Sequence, residues 1–235
     1  MPNLRRLAEG GIYTKRLRTV FPSVTWNIHT SVITGKGPDE HGIWGNAAYS
    51  RSLGTQFSYF EGSIADAGRI RQPVIFDLAA AKGKVSAAIC WPLTQGMSGI
   101  QYNIPECYAQ NDFRRFSSPA LVDELLTQGI AFHRYADWSR VHQLAVLQDD
   151  LTCRIVTYLI ANKQIDVLYA HFLIHDSFQH DFGIRTPESA WALGYLDSLV
   201  GRIAASLRSA GLAEKTHFIV FSDHGHEDVY KYFSL

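Results

Sequence analysis

Residues 165–181 read IDVLYAHFLIHDSFQHD. The first ten are apolar with a β-branched and aromatic bias, the pattern of a parallel strand buried on both faces. The run then breaks into polar residues, with Asp176 and His180 four apart. THFIVFSD, 216–223, repeats the arrangement: a buried strand by composition, ending in Asp223 and His224 with His226 just beyond. Working outward, VSAAICW (85–91) is a further buried strand after a helix over 73–83. Helices are predicted over 2–9, 26–34, 119–129, 146–163 and 187–210. The last opens at Pro187 and carries an apolar stripe through Ala192, Leu196, Leu199, Val200, Ile203 and Leu207. Segments 12–20 and 55–60 read as strands, and 92–118 as a long irregular connection. Helix and strand alternate to the end, which predicts an α/β fold with a largely parallel sheet covered by helices on both faces.

The chain has 235 residues, enough for one domain with a substantial core. It is 46% hydrophobic and 19% charged, a globular composition. Lys plus Arg equals Asp plus Glu, 22 each, so charge gives no case for nucleic-acid binding or for an anionic membrane surface. No apolar run reaches the roughly 20 residues of a membrane span. Cys90, Cys107 and Cys153 are scattered and form no CxxC pair, which favours a reducing compartment. The opening MPNLRRLAEGG lacks the apolar core of a signal peptide and reads as a helix stopped by Gly10-Gly11. Cytoplasmic location is the expectation.

In an open α/β sheet, function gathers at the carboxyl ends of the strands. Carboxylate oxygen and imidazole nitrogen are ligands that zinc and similar divalent ions accept. Asp176 with His180, and Asp223 with His224, are therefore two candidate half-sites. Taken singly, Asp176 is equally a helix N-cap and His224 a turn residue. Two neighbouring metal centres suit phosphoryl transfer, one assisting the attacking oxygen and one the leaving oxygen. FPSVTWNIHTSVITGKGPDEHGIWGN, 21–46, places Thr25 before the predicted helix 26–34. Thr25 is either a plain N-cap or a hydroxyl nucleophile beside a phosphate-binding helix terminus. Asn46 is a turn residue or an amide donor to an anionic oxygen. Trp26 is a core aromatic or a flat face for a substrate ring. His29 and His41 read as structural, and His175 as a candidate substrate contact.

Together these segments resemble the type I phosphodiesterase/nucleotide pyrophosphatase family of the alkaline phosphatase superfamily, in motif order and over nearly the whole chain. MPNLRRLAEGG is similar to the family's P-N-L helix, 21–46 to its nucleophile segment, DSFQH to its D-x3-H motif and SDHG to its D-H motif. The resemblance implies an alkaline-phosphatase-like fold and two divalent ions, zinc by expectation. Thr25 would be the nucleophile and a ligand of one ion with Asp223 and His224. Asp176 and His180 would hold the other. Asn46 would steady the phosphoryl oxygen and Trp26 would stack on substrate. The implied reaction cleaves phosphodiester or nucleotide pyrophosphate bonds through a phosphoryl-threonine.

The chain departs from the family at named places. The family's T-[FWY]-P-N-H reads Thr25-Trp26-Asn27-Ile28-His29 here. The family's first strand, with its ligating aspartate, has no counterpart ahead of MPNLRRLAEGG, and neither has its late histidine, expected well after the D-H motif, beyond which only His226 follows. The expectation is a single, truncated catalytic domain over 1–235 with a lid or specificity insertion in 92–145. Its partner would be a small phosphate-ester or nucleotide substrate. The alternatives are a phosphonoacetate-type phosphonate hydrolase, and a catalytically impaired remnant with a binding or structural role.

Overall fold

A computed structural model describes residues 1–51, 54–58 and 67–229. In chain order the elements are α1 (Pro2–Gly10), α2 (Thr25–Thr34), α3 (Pro38–His41), β1 (Ala47–Ser50), β2 (Thr55–Ser58), α4 (Ile75–Ala80), β3 (Ser86–Ile89), β4 (Tyr102–Ile104), α5 (Gln110–Phe116), α6 (Pro119–Thr127), α7 (Tyr135–Arg140), α8 (Ala145–Asn162), β5 (Val167–Ala170), α9 (Ile174–Phe182) and α10 (Pro187–Ser209).

β3 is the middle of a parallel sheet in the order β4-β3-β5, with Ile89 opposite Ile104 on one side and Ala170 on the other. All four of its side chains are buried. Because successive residues face opposite ways, Ala87 and Ile89 join one cluster with Ile104, Leu125, Ile155, Leu159 and Leu199. Ala88 joins another with Ile33, Phe76 and Trp91. β3 is thus covered on both faces, as its apolar run predicts. β1 and β2 form a separate antiparallel ribbon; residues 59 and 60 of the strand expected over 55–60 lie outside the described residues.

Side chains fix the ends of the key helices. Gly35 closes α2 in the left-handed conformation (φ 66°), its N–H donating to Ser31 O at 2.8 Å. α1 docks on α10 because the Asp197 carboxylate accepts from Asn3 N and Nδ2 and from Leu4 N at 3.2, 3.0 and 2.8 Å. A Cβ at Gly201 would meet the Asn3 side chain at 2.6 Å, so this docking requires glycine there.

Several expectations are corrected. Residues 12–20 form no strand: Ile12, Tyr13 and Leu17 are exposed and nothing among the described residues pairs with them. Residues 216–221 form no ladder among the described residues, and Ile219 is 75% exposed. They line one wall of a cleft whose opposite wall includes Val167–Leu173, so no ladder joins this segment to β5. β5 stops at Ala170 and is half-buried rather than covered on both faces, because the chain turns into α9 at Ile174. The connection 92–118 is not irregular throughout. It holds β4 and α5, and 92–145, where a lid or specificity insertion was expected, contributes Ile104, Phe113, Leu121, Leu125 and Tyr135 to the main core cluster.

Candidate active site

The cleft, about 1990 Å³, opens where β3, β5 and α2 converge. Thr25 is the first residue of α2; Val24 is the N-cap, and its side chain makes no capping hydrogen bond. The N-cap reading of Thr25 is therefore corrected, and its hydroxyl turns into the cleft instead. Thr25 Oγ1 lies 3.4 Å from His224 Nε2, and the same nitrogen lies 3.4 Å from Asp223 Oδ2. The threonine, the aspartate and the histidine singled out in sequence thus meet at one point.

Asn46 reaches the same helix end. Its Oδ1 accepts from Trp26 N at 3.0 Å, which commits the oxygen to the backbone and leaves the Nδ2 hydrogens to face an anion. The loop before it is set by His41. Nδ1 of His41 accepts from Ile43 N at 3.1 Å, and its Nε2 meets Ser31 Oγ at 2.9 Å. His41 is structural, as expected. Trp26 is not a stacking face: its side chain is fully buried against Ile43 and Leu93, so this assignment is corrected. A residue that opens a helix packed on the sheet directs its large ring inward.

His29 was read as structural, but it belongs to the site. Its Nδ1 lies 2.7 Å from Thr25 O and 3.7 Å from Asp223 Oδ2. A carbonyl only accepts, so Nδ1 carries the proton. Burial lowers the His29 pKa against the opposing pull of Asp223, so the ring is neutral and its Nε2 lone pair is available. The signal was present in sequence: positions 25 and 29 share a helix face. His171, at the end of β5, packs on His29 with ring centroids 4.4 Å apart. Burial, first, and the neighbouring His29 hold its pKa well below the usual value. Only the parallel pairing of β3 with β5 brings it there.

The second half-site lies on α9. Asp176 Oδ2 is 3.5 Å from His180 Nε2, and Asp176 Oδ1 is 3.5 Å from His226 Nδ1. Asp149 of α8 positions this helix by accepting from Leu173 N at 2.7 Å and Ile174 N at 2.9 Å. Burial pushes the Asp149 pKa up to about 7 despite those two hydrogen bonds. Asp149→Ala would strand two buried N–H groups. It is expected to cost about 2 kcal/mol or more in chemical denaturation, and to weaken metal uptake at Asp176 and His180. Unchanged stability would remove Asp149 from this role. His175 is half-buried in the cleft wall, and burial lowers its pKa.

Metal-competent donor atoms fall within 4.8 Å of one another in three groups among the described residues: His29, His171 and Asp223; Asp176, His180 and His226; and Cys90, Glu106 and His171. The third group is a poor ion site. Burial raises the Cys90 thiol well above its usual pKa and Glu106 to about 8, so both hold protons at neutral pH. The other groups offer imidazole nitrogen and carboxylate oxygen, the donor types that zinc takes. Asp176 Oδ1 is shielded from water and accepts no hydrogen bond, which is the condition of an oxygen that a cation would satisfy.

Comparison with known proteins agrees with this geometry. The family model described as "Type I phosphodiesterase / nucleotide pyrophosphatase" matches residues 1–235. Ectonucleotide pyrophosphatase/phosphodiesterase family member 1 of Homo sapiens is 25% identical over 230 residues, covering 97% of this chain and 21% of that protein. Venom phosphodiesterase 2 of Crotalus adamanteus is 23% identical over 229 residues, 97% of this chain and 24% of that protein. The chain therefore spans less than a quarter of the length of these curated relatives. Among solved structures, murine ectonucleotide pyrophosphatase/phosphodiesterase 5, an inactive variant in complex with AMP, superposes with TM-score 0.64 at 18% identity over 90% of this chain and 48% of that one. Phosphonoacetate hydrolase from Sinorhizobium meliloti gives 0.63 at 19% identity over 88% and 48%. The fold is that of the alkaline-phosphatase-like enzymes, and the chain belongs to the type I phosphodiesterase/nucleotide pyrophosphatase family.

Proposed function

We propose that this chain carries the centre of a metal-dependent hydrolase of phosphodiester or nucleotide pyrophosphate bonds, with Thr25 as nucleophile. The observation that carries the reading is the meeting of Thr25 Oγ1 with His224 Nε2 and Asp223 at the start of α2, 3.4 Å from hydroxyl to imidazole. Thr25, Asp223 and His224 would hold one divalent ion, and Asp176 and His180 the other, with zinc favoured by the donor set. When bound, such ions would lower the proton affinity of the hydroxyl and offset phosphate charge.

The protein's own residues supply the rest. The hydrogen bond from His29 Nδ1 to Thr25 O anchors the nucleophile's backbone. The free N–H groups and positive dipole end of α2 face the phosphate. Asn46 Nδ2 donates to a phosphoryl oxygen as charge builds there. Thr25 Oγ1 then attacks phosphorus and the alcohol or nucleotide departs. Water cleaves the phosphoryl-threonine in a second displacement. The murine relative's structure holds AMP, and nucleotides are the substrate class proposed for this chain. With Trp26 buried, a base would have to find its contacts elsewhere along the cleft.

The test is turnover of bis-p-nitrophenyl phosphate by the 235-residue chain with added zinc. Chelation is expected to lower the rate at least about 100-fold and zinc to restore it. Phosphonoacetate, assayed in parallel, separates the phosphonate-hydrolase alternative. A metal-loaded protein that turns over neither substrate would overturn the enzymatic reading in favour of a binding or structural role.

A further inference from the structure

We infer that His226 is the third protein ligand of the ion held by Asp176 and His180. This rests on the metal-dependent reading above and adds to it a residue to which the motif resemblance gives no role.

Donor atoms of Asp176, His180 and His226 lie within 4.8 Å of one another. A tetrahedral ion with bonds of about 2.0–2.1 Å separates its ligand atoms by about 3.3 Å. The separations from the two Asp176 oxygens to His180 Nε2 and His226 Nδ1 are both 3.5 Å. The two imidazole rings stand edge to face with centroids 4.5 Å apart, so both can aim a nitrogen at one point without stacking over it. Asp176 Oδ1, the oxygen nearest His226, is buried and accepts no hydrogen bond. The His180 ring is braced from behind by His142, stacked at 5.5 Å, whose Nδ1 in turn meets Asp181 Oδ1 at 2.7 Å.

The local sequence explains how one segment reaches both centres. Ser222-Asp223-His224-Gly225-His226 lines the cleft between the two centres. His224 and His226 lie with ring centroids 6.4 Å apart. The first turns to Thr25 and the second to Asp176.

The experiment is zinc titration of the metal-stripped full chain by calorimetry, with cobalt as a spectroscopic probe. Wild type is expected to take two ions. His226→Ala should weaken one of them by at least about 100-fold, since loss of even an outer partner of a ligand costs about 10–100-fold. His226→Cys should recover that affinity and add a thiolate-to-cobalt charge-transfer band, which a merely structural residue would not give. Asp223→Asn should weaken the other ion. Far-UV circular dichroism and thermal melting check that each variant is folded. If wild type takes two ions and His226→Ala leaves both affinities unchanged, or His226→Cys shows no charge-transfer band, the assignment of His226 is overturned while the metal-dependent reading stands. If wild type takes up no ion, both fall together.

Discussion

Thr25→Ala is expected to lower turnover of bis-p-nitrophenyl phosphate by about 10³-fold or more while leaving the fold intact. The two halves of this expectation rest on different observations. Activity should collapse because Thr25 Oγ1 is the hydroxyl that meets His224 at the start of α2. Stability should change by no more than about 0.5 kcal/mol, because the side chain caps no backbone group of α2 and sits at the cleft rather than in a packed cluster. Thr25→Ser keeps the hydroxyl and should retain activity well above the alanine variant. Turnover by Thr25→Ala within ten-fold of wild type, with matched melting curves, would sink the nucleophile assignment. The comparison is clean because a threonine that merely capped the helix would cost stability on removal, in the range of about 0.5–2 kcal/mol.

Glu106→Gln is expected to stabilise the chelated protein at alkaline pH and to flatten its dependence on pH. Glu106 is 1% exposed. Burial is the main cause that raises its pKa from the ordinary 4.5 to about 8. A hydrogen bond from Tyr108 opposes this, and the charges of Asp176 and Asp223 add to it. Folding therefore favours the protonated acid. The stability this provides is fully present below pH 4.5 and is lost as pH rises through about 8. The separation corresponds to a few kcal/mol, on the order of 4. The amide cannot ionise, so it should escape that loss, and the two proteins should diverge in urea midpoint steadily from pH 5 to 9. Zinc should narrow the difference, because a cation beside Asp176 and Asp223 offsets the charges that hold Glu106 protonated. Parallel pH profiles for the two proteins would show that Glu106 does not titrate in this range.

What could be read from the sequence was what depends on near neighbours. Pro187 marked the start of α10, and the Asp-x3-His spacing paired Asp176 with His180. The buried alanines of β3 followed from an apolar run too short to be a helix. What could not be read depended on partners distant in the chain. His171 and Glu106 approach to 3.8 Å only because β3, β4 and β5 lie side by side, and nothing near either residue in sequence announces it. The strand expected over 216–221 has the right composition, but a strand is defined by its neighbour, and across from it lies the cleft. Trp26 shows the reverse error: adjacency to Thr25 suggested exposure, whereas adjacent residues on a helix point about 100° apart.

The run from His217 to Ser222 belongs to no ladder among the described residues. HFIVFS contains no proline, glycine or formal charge, and Ile219, Val220 and Phe221 are all exposed. Its backbone offers an unpaired hydrogen-bonding edge, the feature that recruits strands from other molecules and seeds ordered aggregates. Lys215 and Asp223 bracket it, the charged flanks that restrain such growth. Association at high concentration is thus expected to begin at this six-residue edge.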